Sequence, residues 1–123
     1  MILFITQHAI SQVSDTTDNS IREKTQYEMN RDAEAKFAHA DSELTKRIRE
    51  VRMILSDTSR YERRFLTMFN KSQKKWEAYR DSYCKLIQEV LDGGSALTYY
   101  VCETLSGMTM ARTSELRAFW GNL

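Results

Sequence analysis

The feature that most constrains this chain is the absence of proline from all 123 residues, together with only four glycines. Proline and glycine are the residues that most often end helices and form turns. So few of them predict long helices joined by a small number of connections. No segment shows the alternating pattern of a strand, so we expect an all-α protein.

The first predicted helix runs from about residue 21 to about residue 56. Its apolar residues follow one another at intervals of three or four, which is typical of a helix with one buried face. They are Ala33, Phe37, Ala40, Leu44, Ile48, Val51 and Leu55. The regular stripe also allows a second arrangement, a two-stranded coiled coil that forms a homodimer through this helix.

Two further helices are predicted on either side of a glycine pair. Ser59 and Glu62 have the spacing of a capping box at the start of the second helix. Gly93-Gly94 ends that helix, because glycine readily adopts the left-handed conformation that closes a helix. Ser95 is expected to cap the third helix, in which Gly107 is expected to mark a close approach of two helices. The predicted buried positions of the second helix are Tyr61, Phe65, Phe69, Ser72, Trp76, Tyr79, Tyr83, Ile87 and Val90.

Three amphipathic helices predict an antiparallel three-helix bundle with a long first helix, in a single domain over residues 21–123. Residues 1–20 are expected to be a flexible tail or the remnant of an export signal. Residues 12–20 are polar and lack periodicity, and no basic residue precedes Arg22, unlike the start of a complete signal peptide. The apolar run at residues 2–5 is too short to cross a bilayer, so no membrane span is expected.

Charge is distributed unevenly along a chain whose net charge is +1. Residues 15–43 carry a net charge of −4, residues 44–75 of +7 and residues 76–123 of −2. A nearly neutral chain is not expected to bind nucleic acid. The aromatic residues beside the basic segment, Tyr61 and Phe65, fall on the predicted packing stripe and are poor platforms for stacking bases.

The two cysteines predict one interhelical disulfide. Cys84 precedes the glycine pair by nine residues and Cys102 follows it by eight. On two antiparallel helices that leave one turn, both thiols would lie roughly 12 to 14 Å from the turn, at the same height. Such a bond indicates an oxidising compartment. The alternative is a pair of buried free thiols in a reducing one.

The sequence contains no pattern typical of a catalytic or metal-binding site. It has no glycine-rich phosphate loop and no His–Glu metal motif. The two histidines, His8 and His39, do not combine with the cysteines at the spacing of a four-ligand site. We therefore expect no enzymatic activity, no metal and no other cofactor.

A set of short motifs covers most of the predicted bundle. Four lie on the second and third helices: Gln73-Lys-Lys-Trp76-Glu-Ala-Tyr79-Arg80-Asp81-Ser-Tyr-Cys84, Gly93-Gly94-Ser95, Cys102 and Thr109-Met-Ala-Arg112-Thr-Ser-Glu115-Leu116. Two lie on the first helix: Thr25-Gln26-Tyr27-Glu28-Met29-Asn30 and Ala40-Asp41-Ser42-Glu43-Leu44. Over about residues 25–119 the chain resembles the LprI-type lysozyme inhibitor family. Members usually have a further pair of cysteines, and Asp32 occupies one of those positions here, which supports pairing of Cys84 with Cys102.

The resemblance implies a non-enzymatic, periplasmic or extracellular protein that inhibits lysozyme by occupying its substrate cleft. The partner would be lysozyme or another peptidoglycan hydrolase. A related hypothesis is an immunity protein against a cell-wall-degrading bacterial toxin. A hypothesis of another class is a structural or adaptor protein that acts through a coiled coil.

The expected partner-binding residues lie at the turn between the second and third helices: Glu89, Asp92, Gly93, Gly94 and Ser95. In an antiparallel bundle this turn shares a pole with the start of the first helix. Several acidic residues gather there, namely Asp15, Asp18, Glu23, Glu28, Glu89 and Asp92. Animal lysozymes are typically basic, so an acidic pole would steer association.

The remaining motif residues are expected to brace the helices against one another. Trp76 lies on the predicted apolar stripe and should pack in the core. Because adjacent residues on a helix do not face each other, Arg80 and Asp81 should each pair with another helix. The expected pairs are Arg80 with Glu115 or Asp41, and Asp81 with Arg112.

Overall fold

The computed structural model describes residues 22–121, and these form three helices without any strand. The helices are α1 (Gln26–Leu55), α2 (Arg63–Leu91) and α3 (Leu97–Trp120). Consecutive helices are antiparallel, so α1 and α3 run in the same direction, and the predicted all-α three-helix bundle is confirmed. The predicted tail at residues 1–20 lies outside the described residues. None of the three helices has the length and apolarity that a membrane span requires.

A capping box fixes the start of α1. The Glu28 N–H donates to Oγ1 of Thr25 at 3.2 Å, and the Thr25 N–H donates to Oε2 of Glu28 at 2.9 Å. Each group satisfies a donor that the first turn of a helix leaves unpaired. The helix therefore begins at Gln26 rather than near residue 21.

The predicted capping box at Ser59 is wrong. The backbone N–H and the hydroxyl of Ser59 both donate to Oδ1 of Asp57, at 3.1 and 2.6 Å. This local turn occupies the serine before it can reach an α2 amide. The two hydrogen bonds from Ser59 also hold the pKa of the Asp57 carboxyl below its ordinary value. The second helix begins at Arg63, after an extended Glu62 that forms no side-chain cap.

The closest backbone contacts in the bundle are between α1 and α3. The buried residues that face each other there are small: Ala33, Ala40, Ser106, Thr109 and Thr113. Small side chains let two helix axes approach closely. A Cβ added at Gly107 meets nothing within 4 Å, so the expectation for Gly107 is wrong. Its buried neighbour Ser106 faces the interface instead.

Large apolar side chains fill the other end of the bundle, near the connection between α1 and α2. The buried cluster consists of Leu44, Ile48, Val51, Leu55, Phe69 and Leu116. Each such side chain stabilises the fold by roughly 1.5 to 3 kcal/mol when it leaves water. Most of the α1 stripe is thus covered within one chain.

The predicted buried face of α2 is correct as far as Phe69 and only partly correct beyond it, where Trp76 and Ile87 are half-buried. Phe69 is buried as predicted, but the next buried residues are Gln73 and Cys84. Polar partners on α3 allow Gln73 to be buried, as described below, so the buried face shifts by one position. The predicted core residues that are exposed instead are Ser72, Tyr79, Tyr83 and Val90.

Candidate functional site

Motif side chains from α2 and α3 meet around Trp76. Arg112 donates from Nε and from Nη2 to Oε1 of Gln73, at 3.1 Å each. Its Nη1 donates to Oε1 of Glu115 at 3.0 Å. The guanidinium carbon of Arg112 lies 5.9 Å from the Trp76 ring centroid, and that of Arg80 lies 5.1 Å from it. Two guanidinium groups therefore contact one indole ring, and cation–π attraction stabilises both charged side chains in this position.

Arg80 connects all three helices. Its Nη1 donates to Oγ1 of Thr109 on α3 at 3.3 Å and lies 3.7 Å from Oδ1 of Asp41 on α1. The pairing with Asp41 was one of the two predicted. The predicted pair of Asp81 with Arg112 is wrong, because Arg112 binds Gln73 and Glu115. The exposed Asp81 carboxylate instead lies 3.7 Å from Nε of its neighbour Arg80, so Asp81 does not reach another helix as predicted.

This polar cluster, which we call the brace, joins α2 to α3. Arg112 is 6% exposed and Gln73 is 2% exposed, so neither presents a surface to a partner. Arg80 and Arg112 thus contact neighbouring helices, as a brace requires, whereas Asp81 does not; the bracing role itself stays a prediction. Trp76 is partly buried and packs against the apolar core, in agreement with the role predicted for it.

The predicted disulfide is not present, and Cys84 and Cys102 are free thiols. Equal height along two helices is not sufficient, because a disulfide also needs the two Cβ atoms directed at each other. The Cys102 thiol lies near the carboxylates of Glu34 on α1 and Glu103, whereas Cys84 lies near Arg80 on its own helix. Burial raises the pKa of both thiols. The compartment argument based on the bond no longer holds.

The expected partner-binding turn forms an exposed tip at one pole of the bundle. Asp92 has φ 48° and ψ 47°, and Gly93 and Gly94 have φ of 85° and 97°. The predicted stop at residues 92–94 is confirmed, although the left-handed residue that ends α2 is Asp92 and the two glycines follow it at positive φ. The predicted cap at Ser95 is wrong, because Ala96 is the N-cap of α3 and forms no side-chain cap.

The tip is slender and tied to α1. A Cβ added at Gly93 or Gly94 would meet nothing within 4 Å. Within residues 22–121, the backbone N–H groups of both glycines donate no hydrogen bond. The Ser95 carbonyl accepts a hydrogen bond from Nδ2 of Asn30 at 3.1 Å. The start of α1 and the turn therefore share a pole, as the sequence predicted.

The net charge at this pole is less negative than the sequence suggested. Two of the carboxylates on α1 are neutralised, because Glu28 pairs with Arg22 and Asp32 pairs with Lys24. Glu89 and Asp92 are exposed and form no ion pair within residues 22–121. Glu23 is also exposed without an ion pair within residues 22–121, so these three residues carry the free negative charge at this pole. Asp15 and Asp18 lie outside the described residues.

Sequence reasoning missed an apolar groove at the opposite pole, between α2 and α3. Its volume is about 710 Å³. The lining residues are Leu55, Tyr61, Phe65, Met68, Phe69, Ser72, Arg112, Glu115, Leu116, Phe119 and Trp120. Two apolar residues that line the groove, Met68 and Phe119, are 61% and 65% exposed in the structure. Apolar residues outside the predicted buried faces were the one sign of this groove in the sequence. It was hidden because neither residue lies on the predicted packing stripes.

Comparison with known proteins identifies the family. The family described as Lysozyme inhibitor LprI matches residues 17–116. No significant match was found among curated proteins or among solved structures. The matched span includes the brace around Trp76, the glycine turn and both cysteines. The chain therefore belongs to the lysozyme inhibitor LprI family.

Proposed function

We propose that this protein inhibits lysozyme by placing the turn at residues 92–95 in the substrate cleft of the enzyme. The observation that carries the proposal is the family match over residues 17–116. Inhibition of this kind needs no chemistry from the inhibitor, which has only to exclude the polysaccharide. Such a protein would act in the periplasm or outside the cell, where lysozyme reaches peptidoglycan.

The shape of the tip supports this proposal. Two glycines without side chains give a narrow end that an open cleft can admit. The hydrogen bond from Asn30 to the Ser95 carbonyl ties the tip to α1. A preformed tip loses little conformational freedom on binding, which improves affinity.

The backbone of the tip offers a specific chemical interaction. Lysozyme hydrolyses its substrate with two carboxyl groups that flank the scissile bond. The N–H groups of Gly93 and Gly94 are free to donate to a carboxylate, because neither donates a hydrogen bond within residues 22–121. We expect one or both of these amides to bind a catalytic carboxylate in the complex.

The charges beside the tip favour a basic partner. Glu89 and Asp92 lie at the carboxyl end of α2, where the helix dipole disfavours negative side chains. The last turn of α2 contains no basic residue that would offset them. Complementing the helix dipole therefore does not explain their position, whereas steering a cationic enzyme does.

An inhibition assay with purified protein and a basic animal lysozyme, acting on a suspension of bacterial cell walls, tests the activity. We expect stoichiometric inhibition by the unchanged chain. Replacing Glu89 and Asp92 by lysine should slow association about tenfold at low salt, and the difference should shrink as salt screens the charges. Helix content should not change, because both side chains are exposed.

The matched control reverses charges away from the tip, with Lys71→Glu and Lys74→Glu on α2. These changes should affect association less than the tip changes do. Inhibition that survives the tip changes and is lost with the lysine changes would place the interface on the basic half of the molecule. Binding of a bacterial wall hydrolase without inhibition of animal lysozyme would favour the immunity hypothesis.

A further inference from the structure

The second half of α2 has two apolar faces, and only one of them is covered. The buried face contains Cys84 and packs against the rest of the bundle. The other face is a stripe of exposed side chains, which we call the outer stripe. Its members are Tyr79, Tyr83, Leu86 and Val90, which are 59%, 40%, 54% and 71% exposed.

The spacing of the outer stripe is that of a helix–helix seam. The intervals are four, three and four residues, which matches the a and d positions of a heptad repeat. Tyr79 and Tyr83 also stack on each other, with ring centroids 6.3 Å apart. A contiguous apolar surface of this kind marks an interaction site on a soluble protein.

We propose that a second copy of this chain covers the outer stripe, with the two α2 helices antiparallel about a two-fold axis. Antiparallel seams place an a residue of one helix opposite a d residue of the other. In the register centred between residues 84 and 85, Tyr79 meets Val90 of the second copy and Tyr83 meets Leu86 of the second copy. The stripe is thus complementary to itself, as an isologous interface requires.

The charges of α2 favour the antiparallel direction. Lys71, Lys74 and Lys75 precede the outer stripe, and Glu89 and Asp92 lie at its far end. None of these five forms an ion pair within residues 22–121. In this register Arg80 of one copy lies opposite Glu89 of the other and Lys75 lies about two residues beyond Asp92, while Glu77 lies opposite Asp92. Over the whole helix, residues 71–80 carry a net charge of +3 and residues 81–92 of −2, so an antiparallel pair sets the basic half of one helix against the acidic half of the other, whereas a parallel pair would oppose like charges.

The size of the surface indicates a weak dimer. A standard interface buries about 800 Å² per partner, which is more than four side chains on one helix supply.

Sedimentation velocity over a concentration series tests the proposal. We expect monomer at about 1 µM and a substantial dimer fraction at about 100 µM, in line with a small interface. Leu86→Lys should raise the dimer dissociation constant roughly tenfold or more, because it buries an unpaired charge in the seam. Gln88→Lys adds the same charge to an exposed site off the stripe and should leave the dissociation constant within about twofold.

Salt dependence tests the direction of the helices. Raising NaCl from about 0.05 to about 0.5 M should weaken an antiparallel dimer, since screening reduces the attraction between lysines and carboxylates. A chain that stays monomeric, a Leu86→Lys variant that dimerises like Gln88→Lys, or a dimer that strengthens with salt would overturn the proposal. The experiment contains no lysozyme, so its outcome is independent of the proposed inhibition.

Discussion

The pair formed by α1 and α3 differs from α2 in the way its residues make contact. Small side chains such as Ala40 and Ser106 bring α1 and α3 together, backbone close to backbone. By contrast, α2 is attached through long side chains, above all Trp76 and Arg80. We call the closely packed pair of α1 and α3 the frame. The comparison shows that α2 packs farther from the frame and carries the two exposed features, the tip and the outer stripe.

The largest expected effect tests the attachment of α2. Trp76→Ala should lower the free energy of unfolding by about 3 kcal/mol, because it removes an aromatic side chain from between two guanidinium groups and the core. Tyr79→Ala, three residues further along the same helix, should cost less than about 0.5 kcal/mol in the monomer. Urea unfolding at low protein concentration measures both. Equal losses would mean that the described buried face of α2 is wrong.

The sequence was sufficient to predict the three helices, the glycine turn and the pole that it shares with α1. Apolar periodicity and left-handed glycine are local signals, and they act through the backbone. The register of α2 was not predictable from them, because burial of Gln73 depends on Arg112, 39 residues away. A pattern of apolar residues predicts burial of Tyr79 and Tyr83, and it does not predict burial of Gln73, whose hydrogen-bond partner is on another helix.

The free thiols also depend on contacts between helices that local sequence patterns do not predict. Sequence separation places Cys84 and Cys102 at similar heights, but the direction of each side chain depends on how the helices rotate about their axes. That rotation is set by packing across the frame. The same reasoning applies to the apolar groove, whose walls come from side chains that no single helix pattern identifies.

A second pair of substitutions tests the frame with two neighbouring residues of α3. Ser106 is fully buried between the helices, so Ser106→Val should destabilise the protein by about 2 kcal/mol, because overpacking outweighs the gain from removing a buried hydroxyl that forms no hydrogen bond. Gly107 faces open space, so Gly107→Ala should stabilise it by about 0.5 to 1 kcal/mol through helix propensity. Thermal and urea unfolding measure both changes. We predict that the two substitutions change the free energy of unfolding in opposite directions. A stabilising Ser106→Val would disprove the close contact between α1 and α3.

A smaller effect is expected from substitutions at the N-caps of α1 and α2. Thr25→Ala should cost about 1 kcal/mol because it removes the capping box of α1. Glu62→Ala at the start of α2 should cost less than about 0.5 kcal/mol, since Glu62 forms no cap bond. Hydrogen bonds from Arg22 and from the Thr25 N–H lower the pKa of Glu28. Its stabilising contribution is therefore present above about pH 4.3 and is lost as pH falls through the lowered value.

The smallest expected effect concerns the two thiols, one in the frame and one on α2. Burial raises the pKa of each, so the folded protein holds these protons at a pH where the unfolded chain releases them. Stability should decline as pH rises above about 8.5, the ordinary thiol pKa. Alkylation should modify Cys102 before the more buried Cys84. A Cys84→Ala, Cys102→Ala variant that loses stability equally at alkaline pH would show that the thiols are not the cause.

The central claim is that the tip at residues 92–95 is the surface that engages lysozyme. Hydrogen exchange measured by mass spectrometry, with and without a basic lysozyme, tests it directly. We predict slower exchange at the end of α2, in the turn and at the start of α1, with little change around the apolar groove. Protection confined to residues 61–72 and 115–120, with none at the turn, would contradict the assignment.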